Sequence, residues 1–106
     1  MSRRTIAIAA ALSVLALGSP LIAARANPLF VQYFNKGVER MNSGNYQGAI
    51  TYYTKALEIN PQYANAYVNR GIDRELANDL EGACDDWIKA VDLGKERPAE
   101  WMKKQC

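Results

Sequence analysis

The chain has 106 residues, 49% of them hydrophobic and 23% charged, a length and composition that fit one globular domain. Histidine is absent, which excludes Ser–His–Asp and Cys–His catalysis and removes the commonest metal ligand. With only two cysteines as well, no metal site is expected.

The first 26 residues have the layout of a cleaved secretory signal. Arg3 and Arg4 give a positive start, residues 6–17 form an uncharged run, and Ala24-Arg25-Ala26 places small residues before the expected cleavage point. An uncleaved membrane anchor is the alternative, although the run is short for a bilayer span of about 20 residues. The arginine pair leaves the Sec and twin-arginine export routes both open.

Removing this signal reverses the sign of the net charge. The whole chain is formally +2, but the signal carries three arginines and no acid, so residues 27–106 keep 10 basic and 11 acidic residues. Basic residues alternate with aromatics around Tyr33, Lys36 and Arg40, yet acids accompany them in the sequence. We therefore expect no nucleic-acid binding, and no membrane contact after signal cleavage.

Residues 27–106 repeat at an offset of 34 residues. Tyr33, Tyr67 and Trp101 fall in register. A fixed period of this length is typical of stacked helix–turn–helix units. The other pairs at this offset are Asn35-Lys36-Gly37 with Asn69-Arg70-Gly71, Gly48-Ala49 with Gly82-Ala83, Tyr53 with Trp87, and Lys55-Ala56-Leu57 with Lys89-Ala90-Val91.

Each unit divides into two helical patterns separated by a short polar break. Asn27 is predicted to cap the first helix, with Pro28 at its first position. Small residues such as Gly37 and Ala49 are expected to let paired helices approach closely, and large aromatics to fill the space between successive hairpins. The spacing of apolar residues predicts helices over 28–41, 46–59, 62–76, 80–93 and 98–106.

These residues resemble the tetratricopeptide repeat, which has aromatics at positions 4 and 24, glycine at 8, alanine at 20 and 27, and proline at 32. The resemblance implies an all-α fold with two tandem hairpins in a short right-handed solenoid and a capping helix at 98–106. Repeat one (30–63) fills those positions with Tyr33, Tyr53, Gly37, Ala49, Ala56 and Pro61. Repeat two (64–97) fills them with Tyr67, Trp87, Gly71, Ala83, Ala90 and, in place of proline, Lys95.

The sequence departs from the family where positions 7 and 11 are basic instead of apolar. Either the stems of these side chains lie over apolar surface, or the charges pair with acids. The basic residues are Lys36, Arg40, Arg70 and Arg74, and the candidate acids are Asp73, Glu75 and Asp86.

The resemblance also implies a concave groove that binds a peptide or partner protein. Its asparagines would hydrogen-bond the backbone of an extended segment, and its apolar residues would take the side chains. Val38, Val68 and Ile72 have a second interpretation as ordinary core residues. The groove positions carried over from the family are Val31, Phe34, Asn35, Val38, Met41, Asn42, Asn65, Val68, Asn69, Ile72, Glu75 and Leu76.

Cys84 and Cys106 are predicted to form a disulfide. The helix at 80–93 and the terminal helix form a hairpin centred near residue 95, and the two cysteines are equidistant from that centre. An exported protein meets an oxidising compartment, where closing a loop of about 23 residues stabilises by about 3 kcal/mol. The alternative is a buried free Cys84 beside an exposed Cys106.

Five acids are candidates for carboxylate chemistry: Asp85, Asp86, Glu39, Glu58 and Glu81. Adjacent helical residues point in different directions, so we interpret these acids as part of a solvated helix face. No phosphate-binding glycine loop is present in the sequence. The sequence thus predicts a protein that is not an enzyme, with no catalytic residues and no cofactor.

The sequence as a whole predicts an exported protein–protein interaction module that acts through the concave groove, with an unidentified protein or peptide as its partner. The repeats resemble those of small exported bacterial proteins, often cyanobacterial, so the expected location is the periplasm or a thylakoid lumen. The alternative is a structural module that stacks end to end as a homodimer. It is favoured by the shortness of the array, because about three repeats are normally needed for stability.

Overall fold

The computed structural model describes residues 27–106 as an all-α chain, as predicted; the proposed signal at 1–26 lies outside them. Its helices pack in sequential pairs, α1 on α2, α3 on α4 and α4 on α5, while α2 against α3 joins the two hairpins. Within this part of the chain, none of the helices has the length and apolar character needed to cross a bilayer. The helices are α1 (Leu29–Asn42), α2 (Tyr46–Ile59), α3 (Ala64–Leu76), α4 (Leu80–Asp92) and α5 (Arg97–Gln105).

Two helices begin later than predicted, and a local hydrogen bond accounts for each shift. The helix begins at Leu29, so Pro28 takes the N-cap position predicted for Asn27, and Asn27 Oδ1 accepts a hydrogen bond from the backbone N–H of Leu29 (3.0 Å). Before α3, the backbone N–H of Tyr63 donates to the Asn60 carbonyl (3.2 Å), which makes residues 60–63 a turn.

The turn inside each hairpin is built in the same way in both repeats. Gly44 (φ +79°) and Asn78 (φ +67°), 34 residues apart, both adopt the left-handed conformation that ends a helix. The next residues, Asn45 and Asp79, cap the following helix. Each side chain accepts a hydrogen bond from the backbone N–H three residues later, at 2.9 and 3.0 Å.

The aromatic residue of each second helix packs first on the glycine of its own hairpin. Tyr53 is fully buried, and a Cβ on Gly37 would lie 2.5 Å from its ring. Trp87 is equally buried and lies against Gly71. From there both rings also reach the next element, as expected of the large aromatics: Tyr53 contacts the side chain of Asn69 on α3, and Trp87 packs against α5. Tyr33, for which the same was expected, instead stacks on Tyr52 of its own hairpin.

Candidate functional site

The predicted groove residues of repeat one divide into two groups. Phe34, Val38 and Met41 are half-buried and pack against the hydrophobic core. The ring of Phe34 lies 4.9 Å from that of Tyr63 and 5.5 Å from that of Tyr53, measured between centroids. The asparagines Asn35 and Asn42 are exposed. In repeat one, therefore, the amides are open to a ligand while the apolar residues are shared with the core.

In repeat two, one groove asparagine already has a partner. Asn69 Nδ2 donates to the hydroxyl oxygen of Tyr53 at 3.4 Å, so this amide joins α3 to α2. Asn65 is exposed, and Ile72 and Glu75 are half-buried. The amides free for an extended backbone are thus those of Asn35, Asn42 and Asn65.

A pocket of about 290 Å³ lies between α3, α4 and the terminal helix α5. Ile72, Glu75 and Leu76 of the predicted groove line it, and Leu76 is half-exposed. The sequence did not indicate the contribution of α5, although Trp101 falls in register with Tyr67 and could have pointed to it. The remaining lining residues are Trp87, Trp101, Lys104 and Gln105.

Two indole rings belong to the apolar lining of this pocket. The ring centroids of Trp87 and Trp101 lie 5.5 Å apart at an interplanar angle of 60°. The Nε1 donor of Trp87 is buried without a hydrogen-bond partner among the described residues. A mostly apolar cavity of this size with a few polar groups at its rim suits an apolar side chain of a ligand.

A disulfide holds α5 over this pocket. Cys84 on α4 is bonded to Cys106, with their Cα atoms 6.0 Å apart, which confirms the predicted pairing. The bond fixes the end of the helix that carries Trp101, so it fixes one wall of the pocket too.

Asp86 is the centre of an ion-pair network between α3 and α4. Arg70 donates to it through Nε (2.9 Å) and Nη2 (2.6 Å), and Arg74 through Nη1 (2.9 Å). Arg70 also donates to Thr54 Oγ1 on α2 at 3.1 Å. Because Asp86 is only 3% exposed, its assignment to a solvated face is wrong; its neighbour Asp85 is exposed, as expected.

Asp73 is a buried acid whose environment the sequence did not reveal. It is 0% exposed, and neither carboxylate oxygen has a hydrogen-bond partner in the described part of the chain. Burial raises the pKa of Asp73 to about 7. Nearby, burial also raises the pKa of Tyr53 to about 12; the hydrogen bond from Asn69 lowers this pKa and the charge of Asp73 raises it.

Repeat one is similar to a known protein family and to an archaeal protein. Residues 31–63 match the tetratricopeptide repeat family. This family generally serves protein–protein interaction and is typically not catalytic. An uncharacterized protein of Methanocaldococcus jannaschii is 46% identical over 35 residues, a segment that spans 33% of this chain and 41% of the archaeal protein.

The match covers repeat one, and the 34-residue offset relates repeat two to it. The helix pairs, glycine contacts and capped turns described above occur in both repeats. Over residues 27–106, no group of three or more His, Cys, Asp or Glu residues is placed to hold a metal ion.

Proposed function

We propose that this protein binds a peptide segment of a partner protein along the concave surface, with the pocket between α3, α4 and α5 as the anchor. The observation that carries the proposal is the pocket itself, because it joins three groove positions of repeat two to a tryptophan pair next to a disulfide. An apolar side chain of the peptide enters the pocket, and Glu75 and Lys104 at its lining offer charge of both signs to the flanking residues.

The exposed amides extend this site along the surface. Asn35 and Asn65 are each able to donate to a carbonyl and accept from an N–H of an extended backbone. A ligand anchored in the pocket would lay its chain over these side chains. This arrangement corresponds to the use of a concave groove for peptide recognition with pockets for selected side chains.

The test is affinity capture from the exported fraction of cells that make the protein, comparing two single substitutions. Leu76→Glu puts a charge into the pocket lining, and we expect it to release the captured partner. Ile88→Glu is the matched control, because Ile88 is similarly exposed (45% against 51%) but does not line the pocket. Equal capture by both variants would contradict the pocket assignment.

The groove needs its own test, for which Asn35→Ala/Asn65→Ala is the suitable double variant. Asn69 is left intact because its amide holds Tyr53. We expect weaker capture without a change in thermal stability, since both substituted side chains are exposed. Unchanged capture of every partner would remove the amides from the site.

Self-association is the competing function, and light scattering during size exclusion distinguishes it. A monomer at all concentrations supports binding of a different partner. A dimer that Leu76→Glu dissociates would mean that the pocket receives a second copy.

We also propose that the protein is exported and that residues 1–26 are removed as its signal. The cysteine pair supports this, because a disulfide persists in oxidising compartments and is rare in the cytosol. Mass spectrometry of the protein from the exported fraction should give an N-terminus at Asn27. A protein recovered with residues 1–26 attached would point to a membrane anchor.

A further inference from the structure

One edge of repeat one gathers three cations around a pair of tyrosines. The rings of Tyr33 and Tyr52 are stacked, with centroids 6.3 Å apart. Lys36 Nζ, Arg40 Cζ and Lys55 Nζ lie 5.7, 5.8 and 5.5 Å from the centroid of the Tyr52 ring. We call these five residues the basic edge; its three cationic side chains are exposed.

The basic edge is separate from the concave groove. On α1, Tyr33 and Arg40 each lie one position before a groove residue and Lys36 lies one position after Asn35. Neighbouring helical residues are about 100° apart around the axis, so all three point away from the groove positions. Lys55 belongs to α2, which contributes no predicted groove position. A ligand at this edge would therefore not occupy the peptide site.

The equivalent positions of repeat two hold a carboxylate that pairs with the basic residues. The residues 34 positions later are Tyr67, Arg70, Arg74, Asp86 and Lys89. There, the carboxylate of Asp86 forms ion pairs with both arginines. Arg70 Cζ also lies 5.6 Å from the centroid of the Tyr67 ring. The counterpart of Asp86 in repeat one is Tyr52. Lys36 and Arg40 therefore occupy the positions of two carboxylate-binding arginines, but the carboxylate itself is missing from repeat one.

The charges of the basic edge are not neutralised within the described residues. Both ion pairs found in residues 27–106 are made by Asp86. Three like charges around one ring repel each other, and cation–π attraction at exposed sites returns only about 0.5–1 kcal/mol each. An anion that reaches Lys36, Arg40 and Lys55 together would relieve that repulsion.

We propose that the basic edge binds a carboxylate side chain of an acidic segment of a partner protein. The internal precedent of Asp86, whose carboxylate pairs with the two arginines at the equivalent positions of repeat two, favours a carboxylate. A second copy is disfavoured as the occupant because α5, at the opposite end of the array, carries three basic residues and one acid.

The test is a titration of the isotope-labelled protein, followed by NMR, with two peptides at low ionic strength. The first alternates Glu and Gly and the second alternates Gln and Gly, so that only the charge differs. We expect the Glu peptide to shift the amide signals of α1 and α2 around the basic edge and to bind at least about tenfold more tightly than the Gln peptide. Equal binding of the two peptides would overturn the proposal.

Charge variants locate the site. Lys36→Gln/Arg40→Gln should weaken the Glu peptide about tenfold, whereas Lys89→Gln/Lys103→Gln, which removes the same charge elsewhere, should change its affinity less than about twofold. All four side chains are exposed, so the variants are expected to fold. An equal loss with both pairs would show general electrostatic attraction and overturn the proposal.

Tyr52→Asp tests the internal precedent directly. It supplies the carboxylate that repeat two has, so Lys36 and Arg40 should pair with it and the Glu peptide should lose about tenfold in affinity. Tyr52→Asn is the uncharged control and should lose clearly less. Equal losses in these two variants would show that the tyrosine ring, not a vacant carboxylate position, makes the site.

Two further measurements separate this site from the others. Leu76→Glu should leave binding of the Glu peptide unchanged, so failure of the pocket and failure of the basic edge are distinguishable. Binding of an oligothymidylate at the basic edge in preference to the Glu peptide, or dimerisation lost in Lys36→Gln/Arg40→Gln, would overturn the proposed occupant.

Discussion

Asp73 places an ionisable group where water cannot reach it. In the unfolded chain this carboxyl has a pKa near 3.8, whereas burial raises its pKa to about 7 in the folded protein. Between these values the folded protein holds a proton that the unfolded chain has lost. The free energy of unfolding therefore falls as the pH rises through this window and becomes level above about pH 7.

Asp73→Asn should remove this pH dependence. At about 1.4 kcal/mol per pKa unit, the wild-type protein should lose about 2–3 kcal/mol through Asp73 between pH 5 and pH 8, and the variant should not. The measurement is urea unfolding of both proteins at the two pH values; other titrating groups are common to both and cancel in the difference. Parallel pH profiles of the two proteins would contradict a raised pKa at Asp73.

The sequence could have indicated part of this pattern of buried acids. Arg70 and Arg74, basic at two normally apolar positions, needed an acid, and Asp86 was among the candidates named. The two repeats could not be compared at this position, because the counterpart of Asp86 in repeat one is a tyrosine. The 34-residue offset therefore did not single out Asp86 as the partner of the arginines. Burial of Asp73 depends on how α2 and α3 pack, which residue spacing alone does not specify.

At the scale of elements, the close packing of α1 on α2 depends on Gly37. A Cβ at this position would lie 2.5 Å from the buried ring of Tyr53, and the fully buried ring has little room to move. Gly37→Ala should lower the free energy of unfolding by about 1–3 kcal/mol, although alanine by itself favours a helix by about 1 kcal/mol. Thermal or urea unfolding measures the change.

Asn35→Ala is the control for that substitution, because it lies on the same helix and is exposed. Its effect on stability should stay within about 0.5 kcal/mol. Equal stability of the two variants would mean that α1 moves away from α2 without cost, and that the glycine is not required for packing.

The packing of α3 on α4 can be tested by substituting two adjacent acids of α4, one buried and one exposed. Asp86→Ala leaves Arg70 and Arg74 without their acceptor, and because Arg70 is 13% exposed we expect a loss of about 3 kcal/mol. Asp85→Ala removes the same group from an exposed position and should change stability by less than about 0.5 kcal/mol. Urea unfolding of the two variants side by side makes the comparison; similar losses would contradict the network.

Most of the element-level structure followed from the 34-residue offset. The helix pairs and the polar breaks between them could be predicted because helical periodicity and turn composition are local features of a sequence. The structure adds the residues that cap the helices after these breaks, Asn45 and Asp79. The two helix starts that came later than predicted, those of α1 and α3, depend on hydrogen bonds of single residues before the helix. The pocket was harder to predict from the sequence because one of its walls is α5. This helix corresponds to only the start of a third repeat, so the 34-residue offset says little about how it packs.

At the scale of the whole molecule, the array is short and ends on a small helix. α5 has nine residues, and an isolated helix of that length is not stable in water. It packs on α4 and contributes Trp101 to the pocket, while the disulfide joins its end to the preceding hairpin. The disulfide therefore stabilises both the terminal helix and the proposed anchor pocket for the peptide.

Cys106→Ser should separate these contributions. Cys106 is exposed, so the substitution removes the crosslink with little loss of packing, and we expect the free energy of unfolding to fall by about 3 kcal/mol. Hydrogen exchange should show the amides of α5 losing protection first, with those of α1 and α2 retaining most of theirs, because the crosslink acts on the last hairpin.

The wild-type protein treated with a thiol reductant should behave in the same way as the variant. Partner capture through the pocket should weaken in both, since one wall of the pocket is then held by packing alone. Protection of α5 that is unchanged after reduction would show that Trp101 and Trp87 hold the helix without the bond.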